Sequence, residues 1–366
     1  MTNRRALVST RKGLFELVRG SNGWTIADVS FLGEPVSYSL ADPRDGTLYA
    51  ALNLGHFGVK LHRRDKDAKE WKEIAVPIYP PQPESTDKDV PWKLTLIWAL
   101  AAGGADEPGT LWAGTLPGGL FRSRDRGESW ELIRPLWDAP QRRHWFGGGY
   151  DVPGIHSICV DPRDSKHVLL GVSCGGVWVT QDGGNTWQLS SKGLRATYMP
   201  PDQADDEGVQ DPHLVARCTA TPDVLWCQHH NGMWRSDDGG KYWQEIGQNC
   251  KPQMSDFGFT VAAHPHDPLT AWFVPAVADQ RRVPVDAALC VTRTRDGGKS
   301  FEVLRKGLPQ RHCYDLIYRH GLAVSEDGST LVMGSTTGGL WISENGGDEW
   351  QEISRGLPPV YAVAFG

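Results

Sequence analysis

Short runs of apolar and β-branched residues, bounded by Gly, Asp, Asn and Pro, follow one another along most of the chain. Examples are Thr110–Gly114, Val177–Thr180 and Leu340–Ser343. Runs of this length with turn-forming residues between them are typical of antiparallel strands joined by tight turns. No apolar run approaches the length of about 18 residues that a membrane-spanning helix needs. The pattern therefore predicts an all-β protein that does not span a membrane.

One motif, Ser/Thr-x-Asp-x-Gly-x-x-aromatic, recurs along the chain and is called the repeat motif below. Full copies begin at Ser123, Thr180, Ser236 and Thr294, and a fifth at Ser343 has Asn in place of Asp. With two eroded copies nearer the N-terminus, the aromatic residue occurs at positions 24, 71, 130, 187, 243, 301 and 350. The units are thus 47 to 59 residues long. Each has room for four short strands, which is the content of a propeller blade.

The two ends of the chain predict how the ring closes. The first unit has only three strands of its own, whereas the last aromatic residue is followed by one surplus strand, Val360–Phe365. That strand can complete the first blade and leave no sheet edge open. We therefore predict a seven-bladed β-propeller, closed by the C-terminal strand in the first blade, with residues 1–366 forming a single domain.

The repeat motif resembles the Asp-box, or BNR, repeat of sialidases, sortilin-type receptors, xyloglucan-degrading glycosidases and a photosystem II assembly factor. The resemblance implies a propeller with a sialidase-related, glycosyl hydrolase-like fold. It leaves activity open, because this family includes both enzymes and binding proteins. The motif residues themselves are expected to be structural, since the Asp carboxylate can accept backbone N–H groups across a turn in which Gly takes a positive φ.

Composition and the N-terminal sequence limit the binding partners and the cellular compartment expected for this protein. The 38 basic and 44 acidic residues give a net charge of -6, which disfavours nonspecific binding to nucleic acid. Seven cysteines, an odd number without C-x-x-C spacing, favour reduced thiols. The N-terminal residues Met1–Val8 are charged but carry no apolar stretch of the secretory type. These features predict a cytoplasmic protein.

Up-and-down strand order predicts where the functional site lies. With the strands of a blade lettered A to D from the axis outward, the repeat motif occupies the C–D turns on one face. The B–C turns and the D–A connections share the other face. Long irregular segments such as Arg134–Gly154 and Ser191–Pro212 belong to the second face. Binding and catalytic residues concentrate on such loops, so we expect a polar site at the axial mouth on this face.

Candidate side chains on that face fall into three groups. Acid–base candidates are Asp151, Asp211, His156 and His213. Ligand-binding candidates are Arg11, His56, Arg143, Tyr150, Arg195, Asp256, Tyr314 and Asp315. Imidazoles that could converge on a divalent transition metal are His156, His213, His229 and His230, the alternative being structural histidines bonded to Asp151 and Asp211. In an acidic protein, this collection of Arg and His indicates an anionic ligand, a metal or both.

The sequence is compatible with three functions. The first is a glycosyl hydrolase-like enzyme that processes a small molecule or saccharide; a true sialidase is disfavoured because no Arg-Ile-Pro motif precedes Trp24. The second is a metal-dependent lyase, hydrolase or oxygenase with histidine ligands. The third is a non-catalytic platform that presents residues such as Trp145–Tyr150 to a partner. The sequence leaves the substrate and the oligomeric state undetermined.

Overall fold

Seven four-stranded antiparallel sheets form the computed structural model, which describes residues 4–84, 91–251 and 253–366. These ranges contain 28 strands, numbered β1 to β28, and the sheets are called blades 1 to 7, both in chain order. Blade 1 contains β1 (Arg5–Thr10), β2 (Gly13–Gly20), β3 (Gly23–Ser30) and β28 (Val360–Phe365). Blade 2 contains β4 (Val36–Ala41), β5 (Leu48–Asn53), β6 (Val59–Arg64) and β7 (Lys72–Ile74). Blade 3 contains β8 (Leu96–Ala102), β9 (Leu111–Leu116), β10 (Leu120–Ser123) and β11 (Glu131–Leu132).

Blade 4 contains β12 (Ile155–Asp161), β13 (Asp164–Val172), β14 (Gly176–Thr180) and β15 (Gln188–Leu189). Blade 5 contains β16 (Pro212–Arg217), β17 (Leu225–His229), β18 (Gly232–Ser236) and β19 (Gln244–Glu245). Blade 6 contains β20 (Gly258–Ala263), β21 (Ala271–Pro275), β22 (Val291–Thr294) and β23 (Glu302–Leu304). Blade 7 contains β24 (Leu322–Val324), β25 (Leu331–Gly334), β26 (Leu340–Ser343) and β27 (Gln351–Ser354). The helical segments are α1 (Arg134–Trp137) and 3-10 turns at Gly55–Phe57, Pro140–His144, Glu207–Val209, Gly247–Asn249 and Val285–Ala287.

The ring closes through the C-terminal strand. β28 pairs antiparallel with β1, so that Ala6 lies opposite Phe365 and Val8 opposite Val363. Because β28 is then the innermost strand of blade 1, that sheet has the order β28-β1-β2-β3 and no blade lacks a strand. The predicted seven-bladed all-β propeller and its mode of closure are confirmed. Among the described residues, no helix has the length and apolar character to cross a membrane.

The core lies between neighbouring blades rather than inside any one of them. Strand side chains alternate between the two faces of a sheet, so each blade presents one apolar face to the blade before it and one to the blade after it. The cluster between blades 5 and 6, for example, contains Trp226 and Phe273. Comparable clusters join every other adjacent pair, including blades 7 and 1. This packing holds the inner strands, and the side chains at their ends, in fixed positions around the axis.

The repeat-motif turns are hydrogen-bonded within themselves. At Asp182 one carboxylate oxygen accepts the backbone N–H of Thr186 at 2.9 Å, and the other accepts the Thr186 hydroxyl at 2.7 Å. The Thr180 hydroxyl oxygen accepts the N–H of Gly184, which has a φ of 93° that favours glycine. The turns at Asp125 and Asp296 repeat these bonds. These carboxylates are therefore engaged in their own turns.

Candidate functional site

Two adjoining cavities open at the axial mouth, on the face opposite the repeat-motif turns. Cavity 1, of about 430 Å³, is lined by residues from blades 1, 2, 3 and 7, including Arg11, Trp98 and Tyr361. Cavity 2, of about 780 Å³, lies mainly against blades 4, 5 and 6. Both are lined by Gly149, Arg282 and Arg319, so they form one continuous site.

β-bulges aim the side chains of the innermost strands into this mouth. In six blades the pairing of the innermost strand shifts by one residue near its first positions. Each shift is a β-bulge with one extra residue, and the side chain of that residue departs from the regular alternation between the two faces of the sheet. The displaced residues are Ser37, Trp98, His156, His213 and Tyr361, with Phe259 in the corresponding stretch of blade 6. Five of these six residues line a cavity, His156 being the one that does not.

Asp211 is the most buried carboxylate of the site and is 3% exposed. Its Oδ1 accepts the backbone N–H of Cys174 at 3.1 Å. Its Oδ2 lies 3.4 Å from Nε2 of His213 and 3.5 Å from Nδ1 of His230. Burial raises the pKa of Asp211, but the opposing effects of the two histidines and Arg319 are larger and hold it well below its ordinary value. Asp211 is therefore an ionised carboxylate at neutral pH.

His213 is fixed on both sides of its ring. Its Nδ1 donates to the carbonyl oxygen of Gly258 at 2.7 Å, and the ring stacks on Phe259 with a centroid distance of 4.7 Å. Burial lowers its pKa, although Asp211 acts in the opposite direction. His230 is more open, with a side chain that is 23% exposed, and its backbone N–H donates to the carbonyl of Asp211 at 2.9 Å. Asp211, His213 and His230 thus form one polar cluster on the wall of cavity 2.

Arg319 brings a buried positive charge to the junction of the two cavities. It is 6% exposed, its guanidinium lies 4.9 Å from the ring of Trp98, and it faces both cavities. Within residues 4–84, 91–251 and 253–366, no carboxylate lies at ion-pair distance from it, Asp211 acts on it only at longer range, and its Nε has no hydrogen-bond partner. Burial lowers its pKa, yet a guanidinium stays protonated at neutral pH.

Two of the four predicted metal ligands lie outside the cluster. Both ring nitrogens of His229 face backbone N–H groups, Nε2 that of Asp211 at 3.1 Å and Nδ1 that of Asn231 at 3.0 Å. His156 bonds through Nδ1 to the Ser157 hydroxyl at 2.9 Å, while its Nε2 is buried and has no partner among the described residues. Burial lowers the pKa of both rings, that of His229 to about 3. Their roles here are those of neutral, structural histidines.

The remaining predicted site residues separate into three sets. Arg11 and Tyr150 line cavity 1. Four are exposed and line neither cavity: His56, Arg143, Asp151 and Tyr314. Three have partners elsewhere: Arg195 pairs with Asp205 at 2.6 Å, Asp256 with Lys251 at 3.3 Å, and Asp315 accepts the Ser335 hydroxyl at 2.6 Å. The structure therefore brings together Asp211, His213 and His230, with Arg11 and Tyr150 nearby.

Sequence reasoning missed Arg319. Arg319 precedes β24, which has only three residues and gives little strand signal. Leu316 and Ile317, close before it in the sequence, are apolar and buried. An arginine so close to an apolar pair is unusual for a solvated loop, and this sequence feature could have pointed to Arg319. Arg282 lines both cavities and pairs with Asp279 at 2.6 Å.

Comparison with known proteins gives partial similarities. No family model matches the chain. It is 29% identical over 160 residues to xyloglucanase Xgh74A of Acetivibrio thermocellus, a match covering 38% of this chain and 18% of that protein. It is 24% identical over 289 residues to a probable oligoxyloglucan-reducing end-specific xyloglucanase of Neosartorya fischeri, covering 71% of this chain and 32% of that protein. The chain thus spans less than a third of the length of these relatives.

Solved structures share the propeller fold. The GH74 enzyme of Niastella koreensis superposes with a TM-score of 0.63 at 13% identity, over 96% of this chain and 52% of that one. A putative 6-phosphogluconolactonase from Bacteroides uniformis gives 0.59 at 11% identity over 99% of both chains. YCF48, in a complex with a D1 peptide, gives 0.51 at 14% identity over 86% of this chain and 84% of that one. At these identities the likeness is one of fold.

Proposed function

We propose that this protein binds and processes a small anionic saccharide derivative, such as a sugar acid, in the joined cavities at the axial mouth. The observation that carries the proposal is Arg319, a buried guanidinium that faces both cavities without a carboxylate at ion-pair distance in the described residues. A buried charge is costly unless it is paired, so a carboxylate or phosphate on the ligand is its natural partner.

The lining of the cavities supports an anionic ligand of this size. Volumes of about 430 and 780 Å³ are within the usual range for small-molecule sites. Four arginines line them (Arg11, Arg281, Arg282 and Arg319), against two carboxylates, Asp211 and Asp279. Asp279 is already paired with Arg282 at 2.6 Å. Aromatic walls such as Trp98 and Tyr150 offer apolar surface to the body of the ligand.

The similarity to proteins named xyloglucanases supports the saccharide part of the proposal, as does the resemblance of the repeat motif to the Asp-box of glycosidase propellers. The usual glycosidase mechanism needs two carboxylates on either side of the bond that is cleaved. Among the described residues of the cavity walls, Asp211 is the one carboxylate that is not paired with an arginine or lysine. We therefore propose that the reacting part of the ligand lies beside Asp211 and His213, rather than between a pair of carboxylates. We also propose a cytoplasmic location, since all seven cysteines are unpaired.

A binding experiment tests this proposal. Calorimetry with D-glucuronate, D-gluconate and neutral D-glucose should detect binding of at least one acid and none of glucose. Arg319→Met should weaken acid binding about 10- to 100-fold, because a hydrogen bond to a charged group contributes about 1.5–3 kcal/mol. Arg143→Met, which removes an exposed arginine outside both cavities, is the matched control and should leave binding unchanged. Equal binding of acid and glucose, or full acid binding by Arg319→Met, would refute the proposal.

A further inference from the structure

We propose that Asp211, His213 and His230 are the three protein ligands of a divalent transition-metal ion of the Zn²⁺ type, with a fourth position open to cavity 2. The inference deepens the proposed function, and it rests on that function only for the identity of the fourth ligand. The three side chains belong to one blade: Asp211 and His213 flank the start of β16, and His230 follows β17. Their ligand atoms lie within 4.8 Å of one another.

Two of the three separations between the ligand atoms match those expected around one Zn²⁺ ion, and the third is no more than 4.8 Å. Asp211 Oδ2 is 3.4 Å from His213 Nε2 and 3.5 Å from His230 Nδ1. A nitrogen–oxygen hydrogen bond is shorter, at about 2.7–3.2 Å. Ligand atoms at about 2.0–2.2 Å from a tetrahedral Zn²⁺ are separated by about 3.3–3.6 Å, the edge of the tetrahedron. Both separations from Asp211 Oδ2 fall on that edge.

The hydrogen-bond roles of His213 point to the same conclusion. A carbonyl oxygen can only accept, so the contact with Gly258 at 2.7 Å makes Nδ1 the donor. In the neutral ring, Nε2 then carries a lone pair, and it faces a carboxylate oxygen that also only accepts. A divalent metal ion between Nε2 and Oδ2 satisfies both atoms, as does a proton on Nε2, and stoichiometric Zn²⁺ uptake distinguishes the two cases. A metal-bound His whose other ring nitrogen donates to a backbone carbonyl is the usual arrangement at metal sites.

Asp211 and His230 are oriented for the same centre. The N–H of Cys174 occupies Asp211 Oδ1, which leaves Oδ2 to bind. The bond from the His230 backbone N–H to the Asp211 carbonyl holds the β17–β18 turn over the carboxylate. All three residues line cavity 2, so the fourth position is reached from there. Three protein ligands with one open position are typical of catalytic rather than structural zinc.

The charges indicate what occupies the fourth position. Asp211 contributes one negative charge, against two positive charges on the ion and one on Arg319, which lines the same cavity. The centre therefore carries excess positive charge that an anionic ligand can neutralise. A carboxylate with a neighbouring hydroxyl or carbonyl oxygen fits best, because it can offer oxygen both to the ion and to the guanidinium. An α-hydroxy or 2-oxo sugar acid has this chemistry.

Metal titration of the full chain tests the inference. The protein is stripped with 1,10-phenanthroline, a neutral chelator that does not compete for an anion site, and then titrated with Zn²⁺ or Co²⁺. We expect about one equivalent per chain and the visible absorption bands of tetrahedral Co²⁺. His230→Gln, at a partly exposed position that should tolerate the change, and Asp211→Asn should each weaken Zn²⁺ binding at least about 100-fold. His56→Gln, an exposed histidine outside both cavities, should bind as the wild type does.

The inference is overturned if the wild type takes up no stoichiometric Zn²⁺, or if folded His230→Gln binds Zn²⁺ as tightly as the wild type. Circular dichroism of each variant verifies folding, and His230→Gln alone decides the matter if Asp211→Asn does not fold. Binding of D-gluconate, an α-hydroxy acid, separates the two proposals. Zn²⁺ uptake that depends on His230, without binding of any sugar acid, upholds the metal site and refutes the proposed function. Acid binding that depends on Arg319, in a protein that takes up no metal, upholds the proposed function and refutes the metal site.

Discussion

Replacing Arg319 with Met should stabilise the protein when no ligand is bound. A buried ion costs several kcal/mol after relaxation. Among the described residues no carboxylate lies at ion-pair distance from Arg319, so the longer-range attraction of Asp211 offsets only part of this cost. The contacts with Trp98 at 4.9 Å and Phe259 at 5.9 Å return about 2 kcal/mol as cation–π energy. Met has a similar length and carries no charge. We therefore expect the free energy of unfolding to rise by about 1–3 kcal/mol.

Urea denaturation at neutral pH without ligand measures this change, provided that variant and wild type have the same m-value. Arg293→Met is the matched control. Arg293 is equally buried, but it pairs with Glu302 and Asp348, each at 2.7 Å. Its replacement should lower the free energy of unfolding by about 2 kcal/mol, whereas Arg319→Met should raise it. If Arg319→Met destabilises the ligand-free protein by more than about 1 kcal/mol, the charge of Arg319 is satisfied within the folded chain and the reasoning fails.

Three further predictions concern the fold. Burial raises the pKa of Asp161, but its bonds to Arg163 and Arg217 outweigh burial and lower the pKa to about 2. The ionised carboxylate therefore contributes about 2 kcal/mol to the free energy of unfolding above pH 4, and this contribution is lost as the pH falls toward 2. Asp161→Asn should flatten this acid branch of the stability profile, and an unchanged branch would contradict the assignment. Trp226→Ala should cost about 3–5 kcal/mol in urea denaturation, because the ring is fully buried between blades; a loss under 1 kcal/mol would argue against that packing. Deleting Val360–Gly366 should expose the edge of β1 and cause association in size-exclusion chromatography, whereas a stable monomer would show that closure by β28 is dispensable.

The fold was predictable because its signals are local. Each repeat motif contains both the acceptor and the donors of its own turn, as at Asp182 and Thr186, so a short stretch of sequence encodes the turn completely. The regular spacing of these turns then fixes the number of blades. Closure by Val360–Phe365 was predictable for a similar reason, since one unit lacked a strand and the other end of the chain had one to spare.

The site was only partly predictable, because it depends on contacts between distant segments. Sequence position suggested four converging histidines, but the two ring nitrogens of His229 face the backbone N–H groups of Asp211 and Asn231 and are directed away from the cluster. The bulge that turns His213 toward the axis is a matter of strand register, which the hydrophobic pattern does not reveal. Arg319 was missed because its importance lies in the lack of a described carboxylate at ion-pair distance, and this is known only when the whole ring is assembled.

A crystal structure of the complex with D-glucuronate tests the central claim most directly, namely that an anionic group of the ligand neutralises Arg319. We predict that the carboxylate lies in the joined cavities with an oxygen at about 2.7–3.2 Å from a guanidinium nitrogen of Arg319. A sugar acid bound outside these cavities, or bound inside them with its carboxylate directed away from Arg319, would contradict the account.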